Sequence, residues 1–245
     1  LNTADIERRE IVQDIEYYKV YSAAQMALVG NGELVEAGSK VFAFVNANKD
    51  SYHYLDAQML FGDLLGATKK HQAAQTEYTK VGQTAPWPDY QARAAVALGR
   101  SYLATGQIPQ ASNSFKIALN LPDSEPGMQT HKLAATLGEA RCLAASKKLS
   151  EATAPVAKVI KQAAPEDTEL PGAAYNALGA SYRAGDRPKD ALLAFLHVDL
   201  VYRSSAQNRI VALENLVELW NERQMPERSA EAARELRDRY KRSPR

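Results

Sequence analysis

The chain has 245 residues, which is long enough for one large domain or for two ordinary ones. Hydrophobic residues make up 45% of it and charged residues 24%, a composition typical of a globular protein. The 30 basic and 29 acidic residues leave a formal net charge of +1, which excludes a general electrostatic attraction to nucleic acid or anionic lipid.

The sequence leaves the cellular compartment open. A single cysteine, Cys142, excludes an internal disulfide but does not report on the redox environment. No run approaches the roughly 18 to 20 apolar residues that cross a bilayer, and no signal peptide opens the chain. Because the chain begins at Leu1 and not at Met, we expect a trimmed or processed piece whose targeting or anchoring segment lies outside it.

A repeated pattern runs along the whole chain. A residue that is small in most copies recurs at intervals of 37, 37, 41, 39 and 38 residues, and we call these the marker positions: Gln25, Gly62, Gly99, Ala140, Gly179 and Val217. Another small residue follows 12 positions after each marker, and a larger one usually follows 16 positions after it, as Tyr78 and Phe115 do. This recurrence indicates internal repeats.

Each copy reads as two helices. Apolar residues recur every three to four positions, and nothing in the chain reads as a strand. The breaks between the two helices are, in chain order, GNG from Gly30, Lys69, TGQIP from Thr105, Lys147, AGDRP from Ala184 and ERQMP from Glu222. Proline suits the start of the second helix, because N–H groups of a first turn lack helical partners. The predicted pairs occupy residues 5–49, 51–85, 87–122, 126–164, 168–202 and 205–241.

Three stretches depart from the plain pattern. Pro155 falls about five residues into a predicted second helix, so we expect a kink or a late helix start there. The charged runs ERREIVQDIE from Glu7 and EAARELRDRYKR from Glu231 are interpreted as solvated faces that close the two ends of the stack. The basic end from Arg237 to Arg245 is interrupted by Asp238 and has a single aromatic, which is a poor nucleic-acid signal.

The repeats resemble the tetratricopeptide repeat family. LGRSYLATGQIPQASNSFKIALNLP from Leu98 matches its pattern of Leu-Gly, an aromatic, a helix-breaking Gly, and then small, aromatic and small residues. LGASYRAGDRPKDALLAFLHV from Leu178 matches nearly all of it, and FGDLLGATKKHQAAQTEYTKV from Phe61 matches moderately. The resemblance implies an all-α fold, a right-handed superhelical solenoid of about six antiparallel helix pairs. It also implies that Gly99 and Gly179 allow close helix approach opposite Ala111 and Ala191.

Motifs that would carry chemistry are missing from the sequence. The four histidines are dispersed, and no zinc-protease, Cys-x-x-Cys, Walker, dinucleotide-binding or serine-hydrolase motif occurs. Cys142 lies in an Ala- and Leu-rich helix, so we expect a buried or half-buried thiol rather than a nucleophile. The sequence therefore predicts no catalytic residue, no metal and no cofactor.

The resemblance implies a concave groove lined by the first helix of each pair, which holds a peptide or a partner's helix. Transferring that geometry predicts five groove residues that would bind an acidic-to-mixed segment of a protein or peptide partner: Arg93, Arg100, Arg141, Asn176 and Arg183. The same transfer places further residues beside them: Asp56, Met59, Asp63, Val96, Leu137, Ala180, Glu214, Asn215, Glu218 and Asn221. The arginines would bind carboxylates through charge-assisted hydrogen bonds, and the Asn176 amide would pair with a partner's backbone. The alternative is that these arginines pair with Glu139 or other neighbouring acids.

Four functions stay open at this point. The first is a non-catalytic protein-interaction scaffold. The second is an enzyme-associated or small-molecule-sensing domain, and the third is an RNA-binding helical repeat, which the near-neutral charge disfavours. The fourth is assembly through the ends of the stack, in which Trp87 and Trp220 would anchor a partner or a second copy, although core or end-cap packing is the expectation for both. The oligomeric state is left open.

Overall fold

The structure is a computed structural model that describes residues 3–123, 127–163 and 167–240, with side chains from Arg8 onward. Within these ranges the chain forms helices and no strand. The helices are α1 (Thr3–Leu28), α2 (Leu34–Ala47), α3 (Tyr54–Ala67), α4 (His71–Thr84), α5 (Pro88–Ala104), α6 (Ile108–Asn120), α7 (Met128–Ala145), α8 (Leu149–Gln162), α9 (Glu169–Ala184), α10 (Pro188–Val201), α11 (Ala206–Glu222) and α12 (Pro226–Tyr240). Some predicted features fall outside the described ranges: the bounds of the fourth predicted pair at residues 126 and 164, and residues 241–245 of the basic end.

The helices pack in chain order, each against the next. The odd-numbered helices also contact one another in succession, from α1 to α3 and onward to α11, whereas no two even-numbered helices in the described ranges are in contact. The odd-numbered helices therefore form the closely spaced inner layer of a curved stack, and the even-numbered helices form its outer layer. This continuous packing confirms the predicted all-α helical solenoid.

Phe115 shows how neighbouring helices come close together. Its ring is fully buried between α5 and α7, and a side-chain carbon added to Gly99 would lie 2.7 Å from it. A carbon added to Gly138 on α7 would collide with the same ring. The atoms nearest to Gly99 thus belong to the aromatic ring 16 residues later. Tyr78 against Gly62 and Phe195 against Gly179 repeat this contact.

The turns inside the helix pairs share one backbone feature. Each holds a residue with positive φ: Gly30, Lys69, Gly106, Lys147, Asp186 and Gln224. In the last five turns that residue lies seven positions after the marker. In the AGDRP break it is Asp186 that adopts φ of 58°, and not the glycine before it. The left-handed conformation turns the chain back, so the second helix lies antiparallel to the first.

Helix α8 begins at Leu149 and continues through Pro155, so the late start expected there is wrong. Proline removes one N–H and leaves the carbonyl of Glu151 without its helical donor. Glu151 is exposed, which lets water bind that carbonyl. Ala152 and Val156 on the opposite side are fully buried, and their packing holds the helix on both sides of the proline.

The last helix pair is fastened by a buried cation. Arg209 is 3% exposed and binds Asp199 at 2.8 Å and Glu235 at 2.8 Å. It also donates to the Tyr240 hydroxyl at 3.4 Å. Trp220 packs partly buried against the same core, as expected for an end-cap residue.

The two ends of the described chain also meet. Gly30, in the turn between α1 and α2, lies so close to the backbone carbonyl of Tyr240 that any side chain on residue 30 would collide with it. Gly30 has φ of 89°, which also favours glycine. The stack therefore curves far enough for its first turn to contact the end of its last helix.

We predict opposite effects for two helical glycine substitutions. Gly138→Ala should lower the free energy of unfolding by about 1–3 kcal/mol, because the added methyl group collides with the enclosed Phe115 ring. Gly38→Ala on α2 meets no atom within 4 Å and should raise it by about 0.5–1 kcal/mol. Urea denaturation followed by circular dichroism measures both, and equal effects would contradict the close contact.

A second pair of substitutions tests the turns. Gln224 is exposed with φ of 57°, so Gln224→Gly should raise the free energy of unfolding by up to about 1 kcal/mol. Gly106 has φ of 73° and open space around it, so Gly106→Ala should lower that free energy by about 1–2 kcal/mol through backbone strain alone. The same denaturation measurement applies, and a destabilising Gln224→Gly would argue against the left-handed turn.

Candidate functional site

The candidate site is the inner face, by which we mean the surface of α1, α3, α5, α7, α9 and α11 that points away from the outer layer. The accessibility of a predicted groove residue depends on its distance in sequence from the marker position of its repeat. Residues that directly follow a marker remain accessible on the surface: Asp63, Arg100, Arg141, Ala180 and Glu218. Residues that lie three positions before a marker are buried in the second to the fifth repeats: Met59, Val96, Leu137 and Asn176. The placement of Met59, Val96 and Leu137 on an open groove surface was wrong.

The physical reason is the packing of the inner layer. Each internal odd-numbered helix contacts the odd-numbered helices before and after it as well as its even-numbered neighbours. Its apolar surface therefore covers more than the single stripe expected for a two-helix hairpin. The open strip that remains is narrow, and it carries mostly charged and polar side chains.

Arg93 on α5 is held by Asp56 on α3. Its guanidinium donates to an Asp56 oxygen at 2.6 Å, and the Tyr90 hydroxyl donates to the other oxygen at 2.6 Å. Burial lowers the pKa of Arg93, but the hydrogen bond and charge of Asp56 outweigh this and leave it raised. Arg93 therefore pairs with a neighbouring acid of its own chain, which is the alternative that the sequence left open. This pair fixes the spacing between α3 and α5.

Arg100, two turns further along α5, is in a different situation. Its side chain is exposed on the inner face, yet enough protein surrounds it that desolvation lowers its pKa. In the described ranges its guanidinium makes no ion pair or hydrogen bond, although the nearby charge of Asp63 raises its pKa in part. The Asp63 carboxylate accepts a hydrogen bond from the Tyr78 hydroxyl at 2.8 Å. Burial raises the pKa of Asp63. Arg100 thus offers its donors to whatever enters the groove.

His131 on α7 completes a locally positive region. It is half-buried, and its pKa is lowered first by burial and then by the positive charges of Arg93 and Arg100. A neutral imidazole there keeps one donor and one acceptor. The middle of the inner face therefore combines a charged guanidinium with a neutral ring.

In the second half of the stack, the predicted residues are already bound within the protein. Arg183 on α9 donates to Glu218 at 2.5 Å and to Glu222 at 2.7 Å, both on α11. The Asn176 side chain is buried, and its NH₂ donates to the backbone carbonyl of Asn208 at 2.9 Å. Arg183 and Asn176 thereby connect α9 to α11, as Arg93 connects α5 to α3.

Arg141 lies exposed on α7, beside the buried Cys142. Burial raises the pKa of the Cys142 thiol to about 12, and the negative charge of Glu139 acts in the same direction. The positive charge of Arg141 only partly offsets this. The expectation of a buried thiol is confirmed.

An aromatic cleft at the first end of the inner face was not foreseen from the sequence. It has a volume of about 370 Å³ and lies between α1, α3 and α5. Its lining consists of Tyr17, Tyr18, Tyr21, Gln25, His53, Asp56, Leu60 and Arg93. The rings of Tyr17 and His53 are stacked, with centroids 3.8 Å apart. This cleft continues the groove beyond the Asp56–Arg93 pair.

One position of the repeat could have revealed the two imidazole groups. His53, Tyr90 and His131 all lie nine positions before a marker. The predicted groove residues lie six, three and two positions before a marker or one and four positions after it, so they did not include this position. Trp87 was also misjudged, since it is 53% exposed and contacts the Tyr90 ring instead of lying in a core.

Two kinds of feature are absent from the described residues. No group of three or more His, Cys, Asp or Glu side chains there is arranged to hold a metal ion. None of the described helices is long and apolar enough to cross a membrane.

Comparisons with known proteins found a similarity of structure. No protein-family model matches the chain, and no curated protein matches it. The chain is similar to the crystal structure of a tetratricopeptide repeat protein from Parabacteroides merdae ATCC 43184, with 12% sequence identity and a TM-score of 0.49. The match covers 93% of this chain and 79% of that chain.

The Cys142 environment predicts slow thiol chemistry. At pH 8 the native protein should react with Ellman's reagent far more slowly than the denatured protein, because the thiol is buried and its pKa is about 12. The thiol of the unfolded chain ionises near pH 8.5, whereas the buried thiol stays protonated. Ionisation therefore favours the unfolded chain, and the free energy of unfolding should fall as the pH rises above about 8.5. Rapid stoichiometric labelling of the folded protein would contradict this burial.

Proposed function

We propose that residues 1–245 form a single domain of six tetratricopeptide-like repeats, with the boundaries predicted from the sequence. In support, each predicted range takes in one odd-numbered and one even-numbered helix of the described chain, although α1 begins two residues before the first range. The recurrence of the left-handed turn residue seven positions after the marker in five copies also supports a common repeat unit.

We further propose that the domain is a non-catalytic protein-interaction scaffold whose inner face binds a peptide or a segment of a partner protein. The observation that carries this proposal is Arg100, whose guanidinium is exposed on the inner face without an ion-pair or hydrogen-bond partner in the described ranges. A partly desolvated cation is stabilised strongly by an incoming carboxylate. The partner is therefore a polypeptide with an acidic side chain or a terminal carboxylate that reaches Arg100.

The other four predicted residues take supporting roles in this proposal. Arg141 is exposed and extends the positive strip toward α7. Arg93 and Arg183 would have to share their carboxylates with a ligand, and Asn176 is buried behind the surface. Arg100 is consequently the position where a substitution has the largest effect on binding.

Peptide selection tests this role. A phage library of random peptides is panned on the wild-type protein, and the enriched peptides are resynthesised for calorimetry. We expect enriched peptides to carry acidic residues, and Arg100→Glu to weaken their binding by roughly 10- to 100-fold, the loss of one or two charge-assisted hydrogen bonds. Binding should also weaken as the salt concentration rises.

The matched control is Arg228→Glu. Arg228 is exposed on α12 and pairs with Glu231 at 3.5 Å, so this variant makes the same charge change away from the inner face. It should leave affinity within about twofold, since exposed ion pairs contribute little. Peptides that bind both variants equally well, or no enrichment of acidic sequences, would rule out the proposed role of Arg100.

A further inference from the structure

Helix α1 has two apolar faces, and only one of them is covered. Tyr17, Ala24 and Ala27 are buried against the rest of the stack. On the opposite side Ile11 is 59% exposed and Ile15 is 50% exposed. A helix that is apolar on opposite sides is normally enclosed by other elements. The outer side of α1 therefore has the character of an interface.

The exposed apolar residues are concentrated at this end of the stack. Of the 15 exposed large hydrophobic side chains in the described ranges, nine lie between residues 8 and 53: Ile11, Val12, Ile15, Tyr18, Tyr21, Met26, Val35, Phe42 and Tyr52. The outer face of α12 at the other end instead carries charges: Glu227, Arg228, Glu231, Arg234, Arg237 and Asp238. The uncovered side of α1 is therefore more apolar than the outer face of α12.

The exposed stripe has the spacing of a helix-pairing seam. Arg8, Ile11, Ile15, Tyr18 and Ser22 follow one another at intervals of three and four residues, and all five are exposed. This alternation places them along one line on the helix, as in a two-helix coiled coil. The partner for this stripe is thus another helix lying along α1.

We propose that the α1 stripe binds the same stripe of a second copy of this chain, with the two helices antiparallel. A two-fold axis level with residue 13 places Ile11 against Ile15 of the second copy. It also places Arg8 against Tyr18 of the second copy, where a guanidinium is attracted to the ring face. A parallel arrangement would bring the two Arg8 side chains together, which is repulsive. The stripe is self-complementary only when the helices run in opposite directions, and such a contact closes as a dimer.

The mass of the protein in solution tests the dimer. Light scattering coupled to gel filtration at roughly 100 µM, where a dimer with a micromolar dissociation constant is nearly complete, should give twice the 26.9 kDa of one chain. The double variant Ile11→Glu, Ile15→Glu should give the mass of one chain, with an unchanged circular dichroism spectrum. A wild-type protein with the mass of one chain would overturn the proposal and leave the stripe to a different polypeptide.

Leu193 and Leu200 on α10 provide the matched control. Both are 66% exposed and lie away from α1, so Leu193→Glu, Leu200→Glu makes the same chemical change elsewhere. This variant should keep the mass of the dimer. Loss of the dimer in this control, or its persistence in the α1 variant, would assign the contact to another surface and overturn the proposal.

Cysteine cross-linking tests the direction of the helices. Ile11→Cys and Ile15→Cys are prepared separately, mixed and oxidised, while the buried Cys142 stays out of reach. The antiparallel arrangement predicts a disulfide between the two different variants that forms faster than any disulfide within either variant alone. Cross-linking confined to identical variants would overturn the antiparallel arrangement.

Discussion

The stack depends on the contact between an aromatic ring on one helix and a glycine on the helix that faces it. Phe115 lies between Gly99 and Gly138, so one ring joins three helices. Each helix pair is too small to bury its apolar surfaces alone, and the close approach lets neighbouring pairs share one core. The contact recurs at Gly62 and Gly179, where it lets an inner helix lie close against its own outer helix.

The narrow spacing of the inner layer determines what remains for binding. Neighbouring odd-numbered helices bury the apolar positions that face each other, and the residues left on the surface are largely charged or polar. Several of these, such as Arg93 with Asp56 and Arg183 with Glu218, connect one inner helix to the next. Arg100 is different, because its guanidinium makes no ion pair or hydrogen bond in the described ranges, although the charge of Asp63 is close enough to raise its pKa in part.

The sequence was sufficient to predict the helices and their order, because repeat periodicity and turn chemistry are local properties. Pro109, Pro188 and Pro226 mark the starts of second helices to within a residue or two. Which side of each inner helix stays open could not be predicted in the same way. That depends on contacts between residues 32 to 39 positions apart, such as Asn176 with Asn208, and on the width of the inner layer. The aromatic cleft and His131 were missed for this reason, although His53 in the cleft and His131 share one position in the repeat.

The contact between Gly30 and Tyr240 gives the molecule a property that helical repeats commonly lack. In an open array each unit touches only its neighbours, so terminal units can unravel independently and unfolding spreads from the tips. Here residues 210 positions apart in sequence meet. No described helix pair joins α12 to α1 or α2, so a single backbone contact links the first turn to the end of the last described helix. A contact over so long a stretch of sequence is of the kind that forms slowly, because loop-closure entropy must be overcome before it is made.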